Sequence, residues 1–103
     1  MLEKDIQRQI IDWLNWKKIF FYRNNSGAMI SEYKGKKRFM RFGVTGSPDI
    51  VCVIKGQYVG IEVKNAVGRL TEGQEAFGKA LEQAGGRYLV VRSLDEVMEK
   101  LKL

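Results

Sequence analysis

Asp49, Glu62 and Lys64 are the residues of this chain whose types and spacing are best suited to chemistry. They lie in Gly46-Ser47-Pro48-Asp49-Ile50-Val51-Cys52-Val53-Ile54-Lys55-Gly56-Gln57-Tyr58-Val59-Gly60-Ile61-Glu62-Val63-Lys64, two apolar runs around the polar break Lys55-Gly56. That pattern predicts an antiparallel hairpin with a two-residue loop, in which Ile54 opposes Gln57 and Asp49 faces Glu62. A four-residue loop over 54–57 keeps the same pairing, whereas a three-residue loop shifts it by one. Opposed residues share a face with Cβ atoms roughly 4.5–5.5 Å apart, and Lys64 joins them because residues two apart on a strand point the same way. Two facing carboxylates repel and push a pKa upward. A divalent cation removes the conflict, and carboxylate oxygens suit Mg²⁺ or Mn²⁺. Singly, Asp49 is a strand-end residue after Pro48 and Glu62 and Lys64 an exposed pair; together they make a candidate metal site.

What the chain lacks narrows that chemistry. It has no histidine, which excludes Ser-His-Asp and Cys-His nucleophilic sites, histidine-ligated zinc and histidine general bases. One cysteine, Cys52, lies inside an apolar run and reads as core filler, so neither a disulfide framework nor a cysteine metal cluster is expected. No apolar run approaches the ~20 residues of a membrane span, and the first residues are charged rather than signal-like, so a cytoplasmic protein is expected. The 103 residues, 45% hydrophobic and 29% charged, fit a single domain over 1–103.

The net charge of +6 is unevenly spread: residues 17–41 alone carry +7, from eight basic residues against Glu32. A basic block beside paired carboxylates points to an anionic polymer, because Lys and Arg on phosphates supply the salt-dependent part of nucleic-acid binding. Arg23, Lys34, Lys36, Lys37, Arg38 and Arg41 are the candidate contacts, with Ser47 beside Asp49. A solvated charged loop is the plainer reading of such a run. Aromatic residues interleave with it (Phe20, Phe21, Tyr22, Tyr33, Phe39, Phe42), and several of these must be core.

The elements that must position these residues follow from periodicity. Leu2, Ile6, Ile10, Trp13 and Leu14 recur at helical spacing over 2–16, with Glu3 and Gln7 beside the buried stripe; Glu3 suits the helix dipole and is also placed to reach inward. Residues 19–23 read as a strand and Asn24-Asn25-Ser26-Gly27 as a turn. The segment to Lys37 reads as irregular, and 38–42 as a further short strand. The Gly46 loop reads as a connector, or as one whose missing side chains let a phosphate backbone or a metal approach Asp49. Thr71-Glu72-Gly73-Gln74 has capping-box spacing and opens a helix through about Ala84, with Phe77, Ala80, Leu81 and Ala84 inward and Gly85-Gly86 ending it. Gly73 and Gly78 weaken that helix by roughly 1 kcal/mol each relative to Ala. Residues 88–91 read as a strand, and Ser93-Leu94-Asp95-Glu96 opens a last helix packed through Leu94, Val97 and Leu101. The order predicts an α/β fold: a mixed sheet between helices, the last strand parallel to its neighbour.

With these elements in place, Pro48-Asp49 followed after a hairpin by Glu62-Val63-Lys64 resembles the PD-(D/E)XK nuclease signature. Gly46-Ser47-Pro48-Asp49, Glu62-Val63-Lys64, Leu70-Thr71-Glu72-Gly73-Gln74 and Gly85-Gly86 together resemble the VRR-NUC (virus-type replication-repair nuclease) group, whose small stand-alone members are typical of phages and bacteria. The resemblance runs from Glu3 to the last helix and implies a restriction-endonuclease-like core. It implies that Asp49, Glu62 and the backbone carbonyl of Val63 ligate Mg²⁺ or Mn²⁺. It makes Lys64 the residue that positions or deprotonates the attacking water, and places Glu3 and Gln74 in the catalytic pocket. It further implies a structure-selective DNA endonuclease acting on branched DNA, resembling Holliday-junction resolvases that work as homodimers. Two other classes stay open: a non-catalytic nucleic-acid-binding module, and a small protein-interaction domain in which the basic block is incidental.

Overall fold

The hairpin turns where its polar break predicts. In the computed structural model of the chain, Lys55 and Gly56 have φ of 50° and 79°, the positive pair that a two-residue type I′ loop requires. The structure describes residues 1–24 and 45–103 throughout, together with the strands spanning 28–33 and 36–41. Its elements in chain order are α1 (Glu3–Trp16), β1 (Phe20–Arg23), β2 (Ala28–Tyr33), β3 (Lys36–Arg41), β4 (Ile50–Ile54), β5 (Gln57–Val63), α2 (Glu72–Gln83), β6 (Arg87–Val91) and α3 (Leu94–Leu101).

Four strands form a mixed sheet in the order β1-β4-β5-β6. β4 is antiparallel to β1 and β5, and β5 runs parallel to β6, so the expected α/β mixed sheet is the one found. The strands alternate between two faces. Ile50, Cys52, Val59, Ile61, Val63, Leu89 and Val91 point to one side, where Ile6, Ile10 and Leu14 of α1 and Val97 and Leu101 of α3 close the core. Burying each large aliphatic side chain contributes about 1.5–3 kcal/mol, which makes this layer the main source of stability. Cys52 is fully buried there, and burial pushes its thiol up to about 11. It is core filler, as expected.

α2 covers the other face. Of the expected inward set, Phe77 meets the Tyr88 ring and Leu81 lies over Gly60 and Gly86, whereas Ala80 and Ala84 are exposed and Gly78 is the buried residue. Tyr88 of β6 explains the rotation: a Cβ on Gly78 would lie 2.7 Å from its ring, so the helix can seat on the tyrosine only where a side chain is missing. Leu2 is likewise 59% exposed rather than part of the α1 stripe.

The segment expected to be irregular up to Lys37 instead contains β2, which pairs with β3 from Ala28↔Arg41 to Tyr33↔Lys36. This hairpin is a sheet of its own, separate from the main one. Cross-strand pairing gives a short, partly polar strand the backbone partners that its own pattern does not advertise.

Candidate active site

Asp49 stands one residue before β4, and the ladder from Ile54↔Gln57 to Ile50↔Ile61 carries it onto Glu62. Its side chain is fixed by the hairpin itself: Asp49 Oδ2 accepts the Val63 N–H at 2.8 Å. The loop before it is fixed by close backbone approach. Gly46 has φ of 81°, and a Cβ there would fall 2.1 Å from the Gly73 carbonyl oxygen in the first turn of α2. Pro48 lies over Gly60, where an added Cβ would meet its Cγ at 2.6 Å. At the other side, the Asn24 N–H donates to the Asp49 carbonyl at 2.9 Å and the Asn24 side-chain amide donates to Ser47 Oγ. Five contacts, from β5, the first turn of α2 and the residue after β1, thus hold the aspartate and the loop that carries it.

Glu62 is only 3% exposed. Its Oε2 accepts from Gln74 Nε2 at 3.2 Å and lies 3.8 Å from Lys64 Nζ, while its Oε1 is buried without a hydrogen-bond partner among the described residues. Burial is the largest cause raising its pKa from 4.5 to about 8. The Asp49 charge and a hydrogen bond that only protonated Glu62 makes to Asp49 add to the shift, Lys64 opposes it, and Glu3 adds a smaller push upward. A buried carboxylate with one oxygen unsatisfied is costly unless something completes it.

Gln74 does more than its capping position requires. Its Oε1 accepts the Thr71 N–H at 2.9 Å and its backbone N–H donates to Thr71 Oγ1, closing the expected capping box, while its Nε2 reaches Glu62. Glu3, in the first turn of α1, comes close to Lys64 across Gly68: a Cβ on that glycine would lie 3.4 Å from Glu3 Oε1 and 3.5 Å from Lys64 Cδ. The structure therefore brings Asp49, Glu62, Lys64 and Gln74 together, with Glu3 at their margin.

The expected nucleic-acid contacts are dispersed. Arg23, paired with Ile50 at the end of β1, turns to the α1 face and donates to Gln7 Oε1 at 3.4 Å. Ser47 is 8% exposed, its hydroxyl accepting from Asn24. Lys34 lies outside the described residues, and Lys36, Lys37, Arg38 and Arg41 are described as members of β3. Two neighbours of the cluster escaped the sequence reading. Asn24 looks like one member of a turn cluster, and only its strand-end position opposite Asp49 would have singled it out. Tyr88 reads as an apolar strand residue, yet its hydroxyl is buried without a partner among the described residues. Burial raises its pKa, and the charges of Glu62 and Asp49 raise it further.

Among the described residues, no group of three or more His, Cys, Asp or Glu is arranged to hold a metal ion. The donor set is smaller and harder: two carboxylates, one with a free buried oxygen, beside a strand-end peptide. Mg²⁺ needs no more, since it commonly takes one or two carboxylates and fills its shell with water and phosphate oxygens. The residues present fit such an ion.

Two solved structures share this arrangement of elements. One, described as "VRR_NUC domain", matches 97% of this chain and 94% of its own with a TM-score of 0.67 at 17% identity. Another, "VRR_NUC domain protein", matches 99% of this chain and 86% of its own with a TM-score of 0.63 at 18% identity. No family model matches the sequence, and no curated protein matches it. The likeness is one of architecture, carried by a four-stranded mixed sheet between helices over nearly the whole length. The chain has the fold of the VRR-NUC domains.

Proposed function

We propose that the chain is a VRR-NUC-type nuclease that hydrolyses DNA phosphodiesters with Mg²⁺ or Mn²⁺. The observation that carries this reading is Glu62, buried to 3% exposure with Oε1 unsatisfied and Asp49 facing it. A merely structural glutamate at that position would be better replaced by an apolar residue. Asp49, Glu62 and the carbonyl of Val63 would hold the ion. Bound there, it supplies Lewis-acid stabilisation of charge on the phosphate and lowers the pKa of water.

The chain's own residues do the rest. Lys64, held near Glu62 at 3.8 Å, hydrogen-bonds the attacking water and offsets negative charge growing on the phosphate oxygens. Gln74 fixes the Glu62 carboxylate through its amide and thereby acts as a positioning residue. Glu3 acts through its charge beside Lys64. Arg23 and the basic residues of β3 neutralise the phosphates flanking the cut, which supplies affinity without sequence preference.

The finer reading is an endonuclease selective for branched DNA, working as a homodimer. Its support is the resemblance, together with the two symmetric cuts that a four-way junction needs and the one such cluster found among the described residues of this chain. A cytoplasmic location accords with DNA as substrate, and no helix among the described residues is long and apolar enough to cross a membrane.

The test is cleavage of labelled four-way junctions, flaps, linear duplex and single strands with Mg²⁺, Mn²⁺ or chelator, alongside Asp49→Asn and Glu62→Gln. Metal-dependent cutting lost in both variants, with DNA binding kept, is the expected outcome. Cutting restricted to substrates other than junctions would retain the nuclease and remove the resolvase. Binding without cutting in either metal would make the chain a non-catalytic DNA-binding module.

A further inference from the structure

The β1 edge of the sheet face that carries Asp49 and Glu62 is exposed. In the ladder Phe20↔Val53 and Tyr22↔Val51, Phe20 and Tyr22 share the face of Val51 and Val53, which is also the face of Tyr58, Gly60 and Glu62 by the β4–β5 register. α2 and Pro48 cover that face over Gly60 and Tyr88. Beyond them, at the β1 edge, Phe20 is 67% exposed, Tyr22 49% and Val53 41%. Phe21, between the two rings, packs into the core instead. Two aromatic rings on one short strand thus stand in water while the residue between them anchors the strand.

Their place relative to the site is set by register. Asn24 continues β1 opposite Asp49, so Tyr22 is the diagonal neighbour of Asp49, roughly 7–8 Å away. Phe20 lies two residues further along the same edge, about 7 Å beyond. The ends of this edge are basic: exposed Lys17 and Lys18 precede it and exposed Arg23 closes it, its side chain on the opposite face beside Gln7 of α1, with no acidic residue between in the sequence. A second copy of a chain with net charge +6 would bring like charge against this edge, whereas a nucleic-acid strand brings phosphates to the lysines and arginine and flat bases to the rings. Stacking of bases on aromatic side chains beside a basic track is how single strands are held without sequence preference.

We infer that Tyr22 and Phe20 form a stacking ledge for unpaired bases of the DNA strand that enters the Asp49–Glu62 site. The inference rests on the nuclease reading and narrows its substrate class. The preferred substrates have splayed or unpaired nucleotides next to the cut, such as flaps, bubbles or junctions with an opened centre, rather than continuous duplex. A paired base in a helix keeps its face stacked on its neighbours and cannot lie on the ledge.

The test uses the whole chain in chelator, so that binding is read without cutting, at one fixed salt concentration. Fluorescence anisotropy compares a labelled oligothymidylate, the same backbone with abasic sites, and a blunt duplex of equal length. Phe20→Ala and Tyr22→Ala should each weaken oligothymidylate binding about ten-fold, leave the abasic strand and the duplex within about two-fold, and leave the melting temperature unchanged. Phe20→Trp and Tyr22→Phe should restore affinity. Equal losses on all three ligands, or no loss on the oligothymidylate, would overturn the ledge. So would conversion of a dimer to a monomer in the alanine variants, which would make this edge an interface between copies. Cleavage with Mn²⁺ is scored separately: a chain that cuts but binds as well without the rings keeps the nuclease and loses the ledge. One that needs the rings to bind single strands yet never cuts keeps the ledge and loses the nuclease.

Discussion

Gln74 and Glu62 are joined by a hydrogen bond of 3.2 Å that ties a helix cap to a buried carboxylate. One amide group serves both: its oxygen accepts from Thr71 and its nitrogen donates to Glu62. Stability and positioning therefore run through the same side chain, and substitution can separate them. Thr71→Ala removes the cap's hydroxyl and leaves the Gln74 amide free to hold Glu62, so it should cost about 1 kcal/mol in denaturant unfolding with nuclease activity reduced less than about three-fold after correction for unfolded protein. Gln74→Ala removes both and should lower kcat roughly ten- to a hundred-fold for a similar loss of stability. Equal activity losses in the two variants would reduce Gln74 to a cap.

Gly46 and Gly56 both have positive φ, but only Gly46 meets other atoms. A Cβ at Gly56 touches nothing within 4 Å, so Gly56→Ala should cost only the backbone term of about 1 kcal/mol. At Gly46 the same methyl would lie 2.1 Å from the Gly73 carbonyl, and backbone cannot swing aside as a flexible side chain does. Gly46→Ala should destabilise by about 3 kcal/mol or more and, because this loop carries Asp49, abolish cleavage. Urea titrations of the two variants side by side, with cleavage assayed where both remain folded, decide the matter.

How far the site could be read in advance depends on the range of the forces that build it. The facing of Asp49 and Glu62 was legible because a two-residue turn and a period-two pattern set register locally. The Thr71–Gln74 cap was legible for the same reason, whereas the second role of Gln74 was implied only by the resemblance, because it depends on where α2 docks. The docking was legible in part, at Phe77 and Leu81. Alanines at 80 and 84 look like a helix's inward face, yet the contact is made at Gly78, where the absence of a side chain admits the Tyr88 ring. The glycines that seemed to weaken α2 are the positions through which it approaches Gly46 and Tyr88. β2 was missed because a strand supported mainly by its partner carries little hydrophobic alternation of its own.

Glu62 makes stability depend on pH in a direction opposite to that of a salt-bridged carboxylate. Its pKa rises from 4.5 to about 8 on folding, chiefly through burial and then through Asp49, so the metal-free folded chain keeps this proton to higher pH than the unfolded chain does. The contribution is complete below about 4.5, declines as pH rises, and is gone above about 8. In chelator the melting temperature should fall across that window. Glu62→Gln should remove the decline and be the more stable protein at its alkaline end. Added Mn²⁺ should raise the wild-type melting temperature more at the alkaline end than at the acid end, because protons and cation compete for one carboxylate. A wild-type melting curve in chelator that is flat with pH, or one matched by Glu62→Gln, would show that the carboxylate is solvated and its burial of no consequence.

Lys36 and Lys37 test whether the basic block contributes affinity or merely solvates the chain. They lie at the start of β3, paired with Tyr33 and Glu32 of β2, in a hairpin separate from the sheet that holds Asp49 and Glu62. Their loss should therefore leave the chemistry alone. If each contacts one phosphate, replacing both with Gln should lower the magnitude of the slope of log affinity against log salt by about 2, at roughly 0.9 per contact on duplex DNA. Binding at low salt should weaken to a similar degree for every duplex sequence, since phosphate contacts carry no base information. Single-turnover cleavage at saturating protein should stay within about two-fold of wild type, whereas Lys64→Ala should lower that rate roughly a hundred-fold or more with the salt slope unchanged. A double variant with an unaltered slope would assign the +7 block to solvation and leave Arg23 and its neighbours at the β1 edge as the groups that meet the DNA backbone.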